Sequence, residues 1–194
     1  MSYIQNRLYL GDYENASNIE WLKSHKITHV VNCAVEHKEY HPRMITYLSL
    51  NLEDSPYQPL YHVLEKSYRF IKKAINENGV VLVHCHAGIS RSASVVLYYI
   101  MKNNPGLPYE KAFSFVKSKR SIIRPNEGFV KQLISVTPAV ASTVTDTPVT
   151  IATPNKERTT HPYIITSQQK KRFDQPKYLE GTAQILRNVT KGSS

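Results

Sequence analysis

Apolar positions divide the chain into alternating strand-like and helix-like segments. Val80-Val81-Leu82-Val83 is a continuous, mostly β-branched apolar run of the kind that forms a buried strand. After a short stretch of polar and small residues comes Ala93-Ser94-Val95-Val96-Leu97-Tyr98-Tyr99-Ile100-Met101, which reads as a buried helix. In residues 60–78, Leu60, Val63, Leu64, Phe70, Ile71, Ala74 and Ile75 recur at helical spacing, and Gly79 is a natural C-terminal stop. The pattern predicts further helices over residues 16–25, 92–102, 108–118 and 127–137, with Pro108 suited to a first turn. It predicts strands over 7–10, 28–32, 45–50 and 80–84. Such alternation implies an α/β fold with a mostly parallel central sheet flanked by helices on both faces. A ligand site then belongs at the carboxyl ends of the strands.

The pattern changes after Thr137-Pro138. Residues 1–138 read as one folded domain and residues 139–194 as a mostly flexible Thr-, Pro- and Lys-containing tail without sustained periodicity. Residues 140–151 are rich in β-branched side chains, and an added edge strand is the alternative there. Lys170-Lys171-Arg172 is a weak nuclear-import or acidic-partner signal, with a solvated charge run as the plainer reading.

Composition narrows the class. A chain of 194 residues with 41% hydrophobic content can bury one substantial core. Two cysteines, Cys33 and Cys85, argue against a disulfide framework and for a reducing compartment, cytoplasmic with nuclear location as the alternative. No apolar run approaches the roughly 18–20 residues of a membrane span, and the first residues lack a signal peptide's basic start and apolar run. The formal net charge of +10 points to anionic partners, or simply to a solvated basic surface. The tail carries eight Lys or Arg against four Asp or Glu, which suits an acidic partner. No basic run is interleaved with aromatics, so nucleic acid is not the expected ligand, and no membrane partner is expected.

The chemistry concentrates in His84-Cys85-His86-Ala87-Gly88-Ile89-Ser90-Arg91-Ser92, between the buried strand and the buried helix. In a strand–loop–helix turn, loop N–H groups and the helix N-terminus converge where an anion is favoured. A cysteine at the head of that loop is expected as thiolate, with its pKa depressed into the range of roughly 3.5–7.5. Alone, Cys85 would read as a small buried hydrophobe. Together with Gly88, Arg91 and Ser92 it reads as a nucleophile aimed at phosphorus. The loop residues His86, Ala87, Gly88, Ile89, Ser90 and Arg91 would bind phosphate, with Arg91 offering a bidentate fork. Ser92 can donate to the cysteine sulfur and help it leave, and His84 can orient or tune the thiolate. The leaving oxygen needs a proton, which an acid on a nearby loop can supply. Asn51-Leu52-Glu53-Asp54-Ser55-Pro56-Tyr57-Gln58-Pro59 is such a loop. Asp54 is the expected general acid and then base, with Glu53 the neighbouring alternative. His29, His37, His41 and His62 show no metal-ligand spacing, and no metal or other cofactor is expected.

The loop resembles that of the cysteine-based protein tyrosine phosphatase superfamily, and its Ala-Gly-Ile-Ser-Arg-Ser ending resembles the dual-specificity branch. The likeness runs over about residues 3–136. Arg7-Leu8-Tyr9-Leu10-Gly11 and Ile27-Thr28-His29-Val30-Val31-Asn32 are similar to that branch's first strands. Arg124-Pro125-Asn126-Glu127-Gly128-Phe129-Val130-Lys131-Gln132-Leu133 is similar to the start of its last helix. Asp54, 31 residues before Cys85, matches the position of the branch's acid. The resemblance implies that Asn126 braces the phosphate loop, besides being an ordinary helix cap. It also implies that Arg120 and Arg124 are candidate substrate contacts, although Arg124 stands where a small residue is usual. Cys33 becomes a candidate redox partner for the nucleophile, with a buried small residue as the alternative.

The expected activity is that of a small dual-specificity phosphatase without a kinase-docking domain. It would hydrolyse phosphotyrosine and phosphoserine or phosphothreonine in phosphoprotein substrates through a cysteinyl-phosphate. RNA 5′-phosphatase and phosphoinositide phosphatase readings stay open. So does a catalytically silent phospho-binding module, although such relatives usually lose the cysteine or the arginine.

Overall fold

The computed structural model of the chain describes residues 1–136. The tail, with the strand candidate at 140–151 and Lys170-Lys171-Arg172, lies outside the described residues. Among the described residues five strands form one sheet in the order β1-β2-β5-β3-β4. They are β1 (Ser2–Gln5), β2 (Leu8–Gly11), β3 (His29–Ala34), β4 (Thr46–Leu52) and β5 (Val81–His84). β2, β5, β3 and β4 run parallel, and β1 pairs antiparallel with β2 at the edge. The pattern of apolar residues does not reveal β1. It is four residues long, and its turn is made by Asn6 and Arg7, both at positive φ, without a glycine to mark it.

The helices of the described residues are α1 (Tyr13–Ser17), α2 (Ile19–Ser24), α3 (Tyr61–Asn76), α4 (Arg91–Asn103), α5 (Tyr109–Lys119) and α6 (Glu127–Ser135). The single helix expected over 16–25 is two, because Asn18 leaves helical geometry and its side chain caps the second by accepting from Trp21 N. Cys33 lies within β3 rather than after it, since that strand continues to Ala34.

The helices cover both faces, and the strands show why. Along β5, Val81 and Val83 point into the larger apolar cluster with α3 to α6, and Leu82 points into the smaller one with Ala16 of α1 and Leu22 of α2. β3 repeats this with Val31 and Val30. α4 is buried from Arg91 through Met101, which makes it the central helix of the larger layer. It leaves the carboxyl end of β5 with only six residues, Cys85 to Ser90, between strand and helix. Among the described residues no helix is long and apolar enough to cross a membrane.

Candidate active site

Residues 85–90 fold into a loop whose hydrogen-bond accounting is lopsided. Every carbonyl from 86 to 90 has a donor outside the loop. His86 O accepts from Tyr13 N (3.0 Å), Ile89 O from Arg124 N (2.9 Å) and Ser90 O from Ser94 N (2.9 Å). Ala87 O and Gly88 O accept from Arg120 Nη2 and Nε at 3.0 and 2.9 Å. Among the hydrogen bonds of the described residues, none uses an N–H of residues 86–90. Carbonyls turned outward leave N–H groups converging inward, as an anion site requires. Gly88 is needed here. Its φ is +68°, and a Cβ would lie 2.4 Å from Gly11 O and 2.6 Å from Arg120 Nη2.

Cys85 heads this loop and is buried. Ser92 Oγ, on the first turn of α4, donates to Cys85 Sγ at 3.2 Å. His84, the last residue of β5, is fully buried, with Nδ1 3.2 Å from Cys85 O. Its pKa is lowered to about 4 by burial, which outweighs the hydrogen bond to Cys85 O. The positive side of nearby His37 lowers it further, and Asp12 works against that. His84 is therefore neutral at pH 7, with its Nδ1 set against the Cys85 carbonyl.

Arg91 enters from α4 and is almost fully buried. Its Nη1 and Nη2 donate to Glu36 Oε2 and Oε1, both at 2.6 Å, and Nη1 also donates to Leu52 O at 3.1 Å. This pair uses the end of the guanidinium. The side edge, formed by Nε and the second Nη2 hydrogen, keeps its donors, and Nε is buried without a hydrogen-bond partner among the described residues. Burial works against the arginine's charge, but Glu36 together with Cys85 and Asp54 raises its pKa overall. The hydrogen bond from Arg91 holds the Glu36 carboxyl at about 2. Glu36 thus fixes which edge of Arg91 is presented. Sequence reasoning missed it. The available signal was an acid just past the end of a strand adjacent to the cysteine strand, where side chains converge.

The acid loop meets the phosphate loop through Asp54. Its Oδ1 accepts from Ser90 Oγ (2.7 Å) and Asn126 Nδ2 (2.9 Å), and its Oδ2 lies 3.9 Å from Arg91 Nε. Glu53 is exposed, and its backbone N–H donates to Gln58 Oε1. Asn126 caps α6, accepting from Phe129 N; its Nδ2 reaches Asp54 on the acid loop, and it meets the phosphate loop through its backbone N–H, which donates to Ser90 Oγ at 3.1 Å. Gln132 of α6 clamps the same loop, donating to Gln58 O and accepting from Leu60 N. Gly128 lets the loop press against α6, since a Cβ there would lie 1.9 Å from Pro56 O.

The two flanking arginines separate. Arg120 is buried, and its guanidinium is committed to the carbonyls of Ala87 and Gly88 and to Asp12 Oδ2 (3.3 Å). It braces the loop from behind rather than facing substrate, which corrects the expectation of substrate contact. Arg124 is exposed and lines a shallow hollow with Asp54, Ser90 and Asn126.

Cys33 is fully buried in the cluster that contains Cys85. β3 and β5 pair Asn32 with His84, the residues immediately before Cys33 and Cys85, and Cys85 is near enough to act electrostatically on the Cys33 thiol. Burial, and after it the Cys85 charge, raises the Cys33 thiol well above its ordinary range, with Arg91 pulling the other way.

Histidines with no ligand spacing in sequence also meet. His37 Nε2 lies 3.0 Å from His86 Nδ1, 49 residues away, and Tyr40 OH is 2.9 Å from His37 Nδ1. The ring of Tyr13 stacks against both imidazoles.

The described geometry fits the comparisons with known proteins. Residues 8–138 match the family model of the dual specificity phosphatase catalytic domain. The chain is 47% identical over 130 residues to a probable rhodanese domain-containing dual specificity protein phosphatase of Dictyostelium discoideum, covering 67% of this chain and 27% of that protein. It is 42% identical over 132 residues to protein phosphatase Slingshot homolog 1 of Mus musculus, covering 68% of this chain and 13% of that protein. A crystal structure of DUSP15 superposes with a TM-score of 0.67 at 33% identity, covering 72% of this chain and 88% of that one. The chain belongs to the dual specificity phosphatase family. It spans about a quarter or less of the length of those two curated relatives.

Proposed function

We propose that the chain is a protein phosphatase that hydrolyses phosphotyrosine and phosphoserine or phosphothreonine through a cysteinyl-phosphate. The observation that carries this reading is the loop of residues 86–90, with carbonyls bound outward and N–H groups unspent around Cys85. The N–H groups and the free edge of Arg91 hold the phosphoryl oxygens. The Cys85 thiolate attacks phosphorus, and Asp54 in its acid form protonates the departing oxygen. Oδ2 is the oxygen for this step, because Oδ1 is occupied by Ser90 and Asn126. Asp54 then takes a proton from water as the water attacks the phosphocysteine, and Ser92 stabilises the departing thiolate. Such a nucleophile needs a reducing compartment, cytoplasmic or nuclear. A silent binding module is disfavoured because Cys85, Arg91, Asp54 and Ser92 are all present.

The test is turnover of an aryl phosphate, followed by a panel of phosphotyrosyl and phosphothreonyl peptides, a phosphoinositide and a triphosphorylated RNA. Peptide hydrolysis at the highest kcat/KM supports the proposal. Preference for the lipid or the RNA overturns the substrate class, and no turnover of any compound overturns the activity.

A further inference from the structure

Glu36, His37 and His86 form a cluster at the lip of the site whose donor atoms all lie within 4.8 Å of one another. We propose that this cluster is a binding site for a divalent zinc ion, and that zinc bound there inhibits the phosphatase by drawing Glu36 away from Arg91.

Two imidazole nitrogens and a carboxylate oxygen are a donor set that zinc takes readily, with a fourth position left for water. In a tetrahedral site with zinc–nitrogen distances of about 2.0–2.1 Å, two ligand nitrogens lie roughly 3.3 Å apart. His37 Nε2 and His86 Nδ1 are already 3.0 Å apart, facing each other in nearly coplanar rings. A small opening of the pair and a tilt of the rings admit the ion, which replaces the shared hydrogen-bond proton. The rings have room to tilt, since His86 is exposed and His37 half-buried. The surroundings select the ligating atoms. Tyr40 OH engages His37 Nδ1 and so directs Nε2 to the ion, the outer-shell arrangement usual for metal-bound histidine. Tyr13 stacks on both rings and holds them in one plane.

Inhibition follows from the third ligand. Both Glu36 oxygens are engaged by Arg91, one on each terminal nitrogen. An oxygen given to zinc leaves the arginine a single bond to Glu36 in place of a matched pair, so the edge meant for phosphate is held less firmly. The thiol of Cys85 is not needed for binding, and this separates the proposal from direct capture of the nucleophile by metal. The binding half stands independently of the proposed activity.

The experiment titrates zinc chloride into the full chain carrying Cys85→Ser, which removes both turnover and the competing thiolate, with calorimetry and imidazole NMR as readouts. The expected result is one zinc per chain, with the ring signals of His37 and His86 shifting together. His37→Gln in the same background should weaken binding by more than the roughly 10–100-fold that loss of an outer-shell partner costs. With Cys85 intact, His37→Gln should turn over substrate like the parent without metal, yet require correspondingly more zinc for inhibition, and a chelator should restore activity. Loss of zinc binding in Cys85→Ser, or unmoved His37 and His86 signals, overturns the site. Equal zinc sensitivity of His37→Gln and parent overturns the inhibitory mechanism. The NMR arm leaves the cluster intact, so it decides the matter even if His37→Gln folds poorly.

Discussion

Replacing Gly128 with alanine should disable proton donation while leaving the nucleophile and its phosphate cradle in place. The added Cβ would lie 1.9 Å from Pro56 O and 2.5 Å from Pro56 C and Cα, where ordinary contact begins at 3.4 Å. These atoms are backbone, so no side-chain rotation relieves the clash. The acid loop must retreat from α6 by about 1.5 Å. Asp54, two residues away, is held by hydrogen bonds from Ser90 and Asn126 that do not tolerate such a move. A misplacement on the order of 1 Å costs about 10²-fold, or about 2.7 kcal/mol of barrier. The assay compares kcat for a phosphotyrosyl peptide, whose leaving group needs the proton, with kcat for an activated aryl phosphate, whose leaving group does not. Gly128→Ala should fall about 100-fold on the first and far less on the second. Adding Asp54→Asn to Gly128→Ala should cost little more, because both remove the same function. A full phosphotyrosine rate in Gly128→Ala, or an equal loss on both substrates, would refute the reasoning.

Three further outcomes follow from the same geometry. Glu36→Gln should raise KM and lower kcat on peptide and aryl phosphate alike, because it loosens Arg91 rather than the acid, and steady-state kinetics with both substrates checks this. Peroxide should oxidise Cys85 to the sulfenic acid, which condenses with the Cys33 thiol to a disulfide and water; Cys33→Ser should lose most of the activity that reductant recovers, and unchanged recovery would rule the pairing out. His84 has an ordinary pKa of 6.5 in the unfolded chain and about 4 in the fold, so the stability it confers is complete above pH 6.5 and is lost as pH falls toward 4, on the order of 3 kcal/mol. Denaturant titrations across that window should show a shallower decline for His84→Asn, and an unaltered slope would place the acid sensitivity elsewhere.

What could be read from the sequence depended on how locally each feature is encoded. The phosphate loop is contiguous, bounded by a buried strand and a buried helix, so Cys85, Gly88, Arg91 and Ser92 declare themselves together. Asp54 stood out because a loop acid precedes a long amphipathic helix, and Asn126 because it opens the last described helix. Contacts between distant segments leave no such mark. Glu36 meets Arg91 across 55 residues, and His37 meets His86 across 49. Both depend on β3 lying beside β5, an order that periodicity does not reveal. Arg120 was misplaced for a related reason. Its position near the site was legible, but nothing in the sequence says that its guanidinium points at the back of the loop rather than the front. The tight turn at Asn6 and Arg7 hid β1, because positive φ without glycine has no compositional signature.

Rapid quenching during turnover of an aryl phosphate tests directly whether Cys85 carries the phosphoryl group. Acid-quenched protein, digested and analysed by mass spectrometry, should carry one phosphoryl group on the peptide containing Cys85. Asp54→Asn should accumulate more of it, because water activation is slowed while a good leaving group still departs. Cys85→Ser should carry none and turn over nothing. A phosphoryl group on another residue, or undiminished turnover by Cys85→Ser, would contradict the account.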